Sequence, residues 1–427
     1  MFKRCSISTL TSVFRVLAIL SVLTTIVFVF CCVGLYSHVQ HFQHGANRYV
    51  ASNQSVRYNE SSLAITGNNT SVIKRNIRML VLGFEFYWSR DSLKEERDVF
   101  CPLYNITVKL KFSSDHRAIY HADITFFSHL YRLGKMKVWK DHLDKRSPNQ
   151  RWALFSLEPP IRSAKNTTVP WNWQYRTHHW TATYNAESDI PFPYGKFIKY
   201  ESMKNISTDI FKTKTKLAVF LSSNCNMTKW PRLRFVRIMQ KYIPVDIFGK
   251  CGTIPCDWEG GCTEQLKQYK FYFALENSQC DGYISEKFWN ALSRYDAVPI
   301  VWGARPKDYK LIAPNQSYIH VSNYKSIKSL GRFIMNLGSK ESDYNSYHSW
   351  RKTGSIQLLP DWSTLPADDH VCATAKRYHE DMENLAAKKK TKFRNVNGED
   401  WLESCKVGRD QVERRLPIPE TQAGYVK

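Results

Sequence analysis

The chain changes character three times along its length. A short basic start gives way to an unbroken apolar run, VLAILSVLTTIVFVFCCVGLY from Val16 to Tyr36, which carries no charge. A helix needs roughly 20 apolar residues to cross a bilayer, so residues 16–36 are expected to span one. Lys3, Arg4 and Arg15 precede the run, and the next charge is Arg48. The positive flank keeps residues 1–15 in the cytosol as a tail and sends the bulk of the chain to the other side. A cleaved signal peptide is the rival reading, but the run is long for one and no clear small-x-small site follows it. Residues 37–75 are polar and rich in Ser and Asn, the composition of a flexible stem.

After the stem the pattern becomes that of folded elements. Ile77–Trp88, Tyr120–Leu130 and Arg151–Pro160 read as strands that stop at polar residues or Pro. WNWQYRTHHWTATY (Trp171–Tyr184) is dense in aromatics. Asp189–Phe197, punctuated by Pro and Gly, reads as a loop. The second half then repeats strand and helix. KLAVFLSSN is a strand ending at Asn224, and the helical PRLRFVRIMQKYI places Pro231 in a first turn. PVDIFG, FYFALE and AVPIVWG are further strands. Between them lie the helical EQLKQYK and SEKFWNALSRY, with Ser285 as N-cap. Such alternation predicts an α/β fold with a parallel sheet. It divides the chain into residues 76–200, residues 201–372, and a C-terminal helical segment and tail, 373–427. Ligands of open α/β sheets bind beyond the carboxyl ends of the strands, which puts Asn224, Gly249, Asn277 and Gly303 on one rim.

Composition narrows the partners. The 427 residues, 43% hydrophobic, can bury more than one core. Lys and Arg number 61 against 38 Asp and Glu, a formal charge of +23. That excess fits nucleic acid, a membrane surface or a phosphorylated ligand, although runs such as KTKTK and KKKTKFR read as solvated faces. Nine Asn-x-Ser/Thr sequons start at Asn53, Asn59, Asn68, Asn69, Asn105, Asn166, Asn205, Asn226 and Asn315, all beyond the apolar run. Eight of the eleven cysteines also lie beyond it: 101, 225, 251, 256, 262, 280, 372 and 405. An even set on the lumenal side implies disulfides, with about 105 possible full pairings. Zinc at Cys251, Cys256 and Cys262 is disfavoured, because no CxxC pair or following His stands at ligand spacing. A lumenal domain also removes nucleic acid as a partner.

The chemistry concentrates at the break in FYFALENSQCDGYISEKFW. Glu276 and Asn277 end a strand at the rim. Tyr283, Glu286 and Lys287 stand at the turn and start of the next helix, whose free N–H groups and dipole favour phosphate. Lys287 adds a full charge, Glu286 can accept the two hydroxyls of a ribose, and Tyr283 offers a flat face. The plainer reading is a first-turn Glu on a helix dipole beside a surface Lys. Arg232 could grip a diphosphate in a bidentate way, or belong with Arg234 and Arg237 to a solvated basic helix. Glu158, after a buried strand and before two prolines, could serve as a base or simply face water. The chain contains no D-x-D pair for a metal, and no GxGxxG, GxxxxGK[ST] or GxSxG motif.

Together these segments resemble the α1,3-fucosyltransferases, glycosyltransferase family 10. FYFALENSQCDGYISEKFWNALSRYDAVPIVWG is similar to that family's signature. RWALFSLEPP, TATYNAESDIPFPYG and LSSNCNMTKWPRLRFVRIMQKYIPVDIFGKCG resemble flanking segments in the same order, from about Ile77 to Cys405. The resemblance implies a GT-B fold of two Rossmann-like domains behind a single transmembrane helix. It implies an inverting Golgi type II enzyme that uses GDP-fucose without an essential metal or other cofactor. It matches Glu158 to the general base, and Arg232 and Lys287 to the groups holding the diphosphate. Tyr283 and Glu286 match nucleotide contacts, and Asn224 and Asn277 belong to the same donor-side set. The acceptor would be a glycan hydroxyl. A peptide-modifying relative and a catalytically silent glycan-binding relative are the alternatives.

The chain departs from the family pattern in three places. Asn185 replaces an Arg in the Tyr184–Asp189 segment. Asp296 and Ala297 stand where a Gly usually ends a helix, and Asp tolerates the left-handed conformation better than most residues. One cysteine of each usual local pair is missing near Cys101 and near Cys372, which the resemblance translates into a single bridge, Cys101–Cys372.

Overall fold

A computed structural model of the chain describes residues 76–82, 96–113, 115–128, 145–160, 177–225, 230–256, 262–358, 368–387, 394–395 and 404–405. The expected tail, membrane span and stem lie outside these residues. No helix among the described residues is long and apolar enough to cross a membrane.

The first sheet collects β1 (Asn76–Leu82), β2 (Glu96–Cys101), β3 (Ile106–Ser113), β4 (Ile124–Ser128) and β5 (Arg151–Ser156). After β6 (Thr177–His178) it continues with β7 (Trp180–Thr183) and β8 (Ile190–Pro191). Its order is β2-β3-β1-β4-β5-β7-β8, parallel throughout except for the β2–β3 pair. β5 is buried at every position, as a parallel strand covered on both faces must be. β9 (Gly195–Lys199) leads on to the second sheet. The reading of Asp189–Phe197 as a loop is therefore corrected, because Pro191 falls in β8 at a sheet edge, where its missing N–H costs no ladder bond. Gly195 is required by close packing: a Cβ there would lie 2.5 Å from the ring of Trp289.

The second sheet contains β10 (Lys216–Leu221), β11 (Val245–Phe248), β12 (Tyr269–Leu275), β13 (Val298–Trp302) and β14 (Ile319–His320). Its order is β11-β10-β12-β13-β14, all parallel. The connections from β10 and β11 run in opposite directions, so the order reverses between β10 and β12, the place where open sheets open a ligand crevice. Asp296, after the helix Glu286–Ser293, takes φ 49° and accepts from Arg351 Nη2 at 2.7 Å. The substituted residue thus keeps the left-handed turn that a Gly would supply.

β15 (Gly354–Leu358) pairs with β9. The helix Asp368–Ala386 then returns to the first sheet, packing on β2, β3 and β8. Arg151 Nε and Trp180 Nε1 each donate to Asp381 Oδ2 at 3.0 Å, and the rings of His370 and Phe192 stack at 4.2 Å. The boundary expected after residue 372 falls inside this helix, whose apolar face belongs to the first sheet's core. The last described strand, β16 (Arg394–Asn395), pairs with β6. Four disulfides join Cys101–Cys372, Cys225–Cys251, Cys256–Cys262 and Cys280–Cys405. The described sequon residues Asn105, Asn205 and Asn315 are all exposed.

Candidate active site

β12 is an almost continuous buried run, and the residue directly after it is a carboxylate, Glu276, with no exposure to solvent. The surroundings account for that burial. The Glu276 N–H donates to Trp302 O at 3.1 Å, and its carbonyl accepts from Trp230 Nε1 at 2.9 Å. Oε1 accepts from Ser285 N at 2.7 Å and Oε2 from Ser285 Oγ at 2.6 Å. Gly303 makes room for this side chain, since a Cβ there would lie 2.7 Å from Glu276 Cβ. Ser285 does occupy the N-cap position of the helix Glu286–Ser293, but its hydroxyl makes no capping bond. The hydroxyl donates to the Glu276 carboxylate and accepts from the Lys287 ammonium, a charged donor stronger than a helix N–H.

Lys287 completes the cluster. Its ammonium donates to Glu286 Oε1 at 2.8 Å and to Ser285 Oγ at 2.9 Å, and pairs with Glu276 Oε2 at 3.4 Å. Burial works against the charged lysine, but the carboxylates of Glu286 and Glu276 hold its pKa well above the usual value. Burial also raises Glu276, whose Lys287 and Ser285 partners pull the other way without winning. Glu286 leaves half its side chain in solvent. Desolvation raises that carboxyl, and the neighbouring ammonium more than offsets it, leaving the pKa lowered.

Two residues carry the cluster across to the first sheet. Asn277 Nδ2 donates to Glu158 Oε2 at 3.3 Å, while Asn277 Oδ1 is buried without a hydrogen-bond partner. Glu158 stands two residues past the carboxyl end of β5 on a fixed backbone. Ser156 Oγ donates to its carbonyl at 2.6 Å, and Tyr194 OH donates to the Leu157 carbonyl at 2.6 Å.

Arg232 is a buried side chain and not a solvated one. Nη1 donates to Leu275 O at 2.8 Å, and Nη2 to Ser222 Oγ at 3.1 Å and Asn224 O at 3.4 Å. It therefore ties together the carboxyl ends of β10 and β12 at the point of order reversal, and its Nε is left buried without a partner. Asn224 enters this arrangement through its carbonyl. Tyr283 presents no flat face to solvent. It is buried edge-on against Tyr184 at 4.8 Å and Tyr194 at 6.4 Å, and burial pushes its phenol well above the usual range.

The structure thus gathers Glu158, Asn277, Glu276, Ser285, Lys287 and Glu286 into one polar cluster at the carboxyl ends of β5 and β12, with Arg232 behind it. The sequence reading placed Glu276 on the rim and gave it no role. Its signal was a carboxylate directly after an apolar strand. The model described as "Fucosyltransferase, N-terminal" matches residues 83–195, and that described as "Glycosyltransferase family 10 (fucosyltransferase) C-term" matches residues 211–396. The chain belongs to glycosyltransferase family 10, the fucosyltransferases.

Among its relatives, glycoprotein 3-alpha-L-fucosyltransferase A of Drosophila melanogaster is 37% identical over 298 residues, 66% of this chain and 54% of the fly protein. Alpha-(1,3)-fucosyltransferase fut-6 of Caenorhabditis elegans is 28% identical over 341 residues, 75% of this chain and 84% of the worm protein. The match thus spans about half of the fly protein's length. A crystal structure of an alpha1,3-fucosyltransferase overlays 77% of this chain and 96% of its own at 16% identity, with a TM-score of 0.45, too loose a likeness to carry residues across.

Proposed function

We propose that this chain is an inverting α1,3-fucosyltransferase of GT-B architecture. It moves L-fucose from GDP-fucose to a GlcNAc hydroxyl of a glycan. The observation that carries this reading is the 3.3 Å contact between Asn277 and Glu158, which sets a carboxylate of one sheet beside the donor-side signature of the other. In the reaction, Glu158 takes the proton of the attacking hydroxyl as its oxygen bonds to fucose C1. The bond from C1 to the β-phosphate oxygen breaks, and GDP leaves with the bonding pair. Lys287 and the positive dipole end of the helix Glu286–Ser293 meet the charge that grows on the diphosphate. Glu286, half in solvent, is placed to accept the ribose hydroxyls. Arg232 contributes from behind, through the strand ends it fixes and through its remaining N–H. The metal-free character remains part of the proposal, as do the lumenal Golgi location and the anchoring by residues 16–36. The lack of a D-x-D pair in the sequence supports the first, the sequons and the even cysteine set beyond the apolar run support the second, and the charge-free run of 21 residues supports the third.

The test is transfer itself. The purified full chain, with GDP-fucose and a panel of GlcNAc-, LacNAc- and LacdiNAc-terminated glycans and an N-glycan core, should release GDP and yield a fucosylated product. GDP release without product would point to hydrolysis alone. Absence of both across the panel would sink the proposal.

A further inference from the structure

A second polar feature lies beside this site and takes no part in the mechanism above. Residues 184–187, which follow β7, meet the signature loop at 281–284 and the helix Pro306–Ile312 around a cavity of about 300 Å³. Its walls include Asn185, Glu187, Asp281, Arg305, Asp308 and Leu311. Tyr184 belongs both to this wall and to the aromatic contact on Tyr283, so the cavity adjoins the site.

The walls are held in place. Arg305 Nη1 pairs with Asp281 Oδ2 at 2.8 Å, and Asp308 Oδ2 accepts from the N–H groups of Gly282 and Arg305, each at 3.0 Å. Asp281 N donates to Ser404 O at 2.8 Å, beside the Cys280–Cys405 bridge. Two unusual residues shape the opening. Gly282, at φ 66°, has no side chain, and the amide of Asn185 covers it, with atoms 3.2–3.4 Å from where a Cβ would stand. Asn185 is the residue that replaces the family's Arg. Asn185 Oδ1 accepts from Glu187 N at 2.9 Å, which sets the orientation of its NH₂ group.

One atom asks for a ligand. Asp281 Oδ1 is buried and has no hydrogen-bond partner among the described residues. A buried acceptor of this kind is costly unless a donor meets it. Three carboxylates against one guanidinium repel a phosphate and suit hydroxyl groups, while the exposed apolar Leu311 offers a surface for C–H groups. A rigid cavity near the lower end of ligand-pocket volumes holds one sugar ring.

We infer that this cavity binds a neutral pyranose of the acceptor glycan, apart from the unit that receives fucose. The inference rests on the glycosyl-transfer reading above. The acceptor is the source because a sugar tethered to a diphosphate would bring negative charge toward Glu187, Asp281 and Asp308.

Two variants test it in the full chain. Asn185→Arg puts a long cation into the cavity. Leu311→Arg blocks its rim at a position exposed enough (73%) to leave folding intact. Both should raise KM for the glycan acceptor by about tenfold or more, with KM for GDP-fucose held within about twofold. Saturation-transfer NMR of the glycan without donor should lose signal in both. An unchanged acceptor KM in both, or a parallel rise in KM for GDP-fucose, would overturn the inference. If the wild-type chain transfers nothing, the proposed function fails separately, and the NMR arm still decides the cavity: signal lost in both variants supports it, signal retained refutes it.

Discussion

Lys287 Nζ and Glu276 Oε2 form an ion pair at 3.4 Å in which the carboxylate is wholly buried. Truncating one partner of a buried pair leaves the other charge stranded, a loss of roughly 3–5 kcal/mol. Glu276→Ala should lower the unfolding free energy by that order, because the buried N–H and hydroxyl of Ser285 also lose their acceptors. Glu276→Gln keeps an acceptor for Ser285 and should cost less stability, yet still raise KM for GDP-fucose as Lys287 loses its rear anchor. Chemical unfolding and donor kinetics on both variants check this. A Gln variant with wild-type donor KM would show that the pair is structural only.

Glu158→Gln removes the proton acceptor and retains a hydrogen-bonding oxygen near Asn277. General-base loss costs roughly 10²–10⁴ in rate, so kcat should fall by that order while KM for GDP-fucose stays close to normal. Retained turnover would move the base elsewhere. Because no D-x-D pair exists in the chain, EDTA should leave wild-type turnover nearly unaltered; strict dependence on added Mn²⁺ would contradict the metal-free mechanism.

The parts of the fold legible in the sequence are those with local signatures. β10, β12 and β13 are near-continuous apolar runs between polar breaks, and their strand-helix rhythm marks a parallel sheet. The β2–β3 pair is absent from the sequence reading, although Ile106–Leu110 alternates buried and more open positions. β9 pairs with β15 and the helix Asp368–Ala386 packs on β2 across long stretches of sequence, and nothing local encodes either contact. The same division holds in the site. Glu286 and Lys287 announce themselves at a helix start. Arg232 reads locally as one of several solvated arginines, and only the closure of β10 against β12 buries it. Glu276 reads only as a strand end at the ligand rim until Trp230, Ser285 and Gly303 are brought around it.

The Cys101–Cys372 bridge closes a separation of 271 residues and fastens the helix Asp368–Ala386 to the edge of the first sheet. In the chain-entropy account a loop of that length is worth roughly 5 kcal/mol. The Cys101→Ser, Cys372→Ser double variant should unfold at markedly lower denaturant concentration. Peptide mapping of a non-reduced digest should return the four pairs seen here. Recovery of a Cys372–Cys405 peptide would contradict both the bridge and the packing of this helix.

Three buried histidines set a pH dependence of stability. Burial pushes His179 down to about 3, His320 to about 4 and His348 to about 3. His179 Nδ1 accepts from Trp152 N at 2.9 Å, and His320 Nδ1 accepts from Ser322 N at 3.2 Å, so the neutral rings are the ones the fold uses. In the unfolded chain each titrates near 6.5. Below that pH the unfolded state binds protons that the folded state refuses until about pH 3–4. The stabilisation is therefore fully present above pH 6.5 and drains away as pH falls through this window. Each ring contributes about 1.4 kcal/mol per pH unit there. Denaturant unfolding at pH 7.5, 6.0 and 5.0 should show this decline. The ring nitrogens of His348 have no hydrogen-bond partner among the described residues, so His348→Phe keeps a ring in place and removes one titration. Its stability should fall less steeply with pH than the wild type by about one proton's worth, about 1.4 kcal/mol per unit. Equal slopes for the two proteins would mean that His348 is not held neutral by the fold.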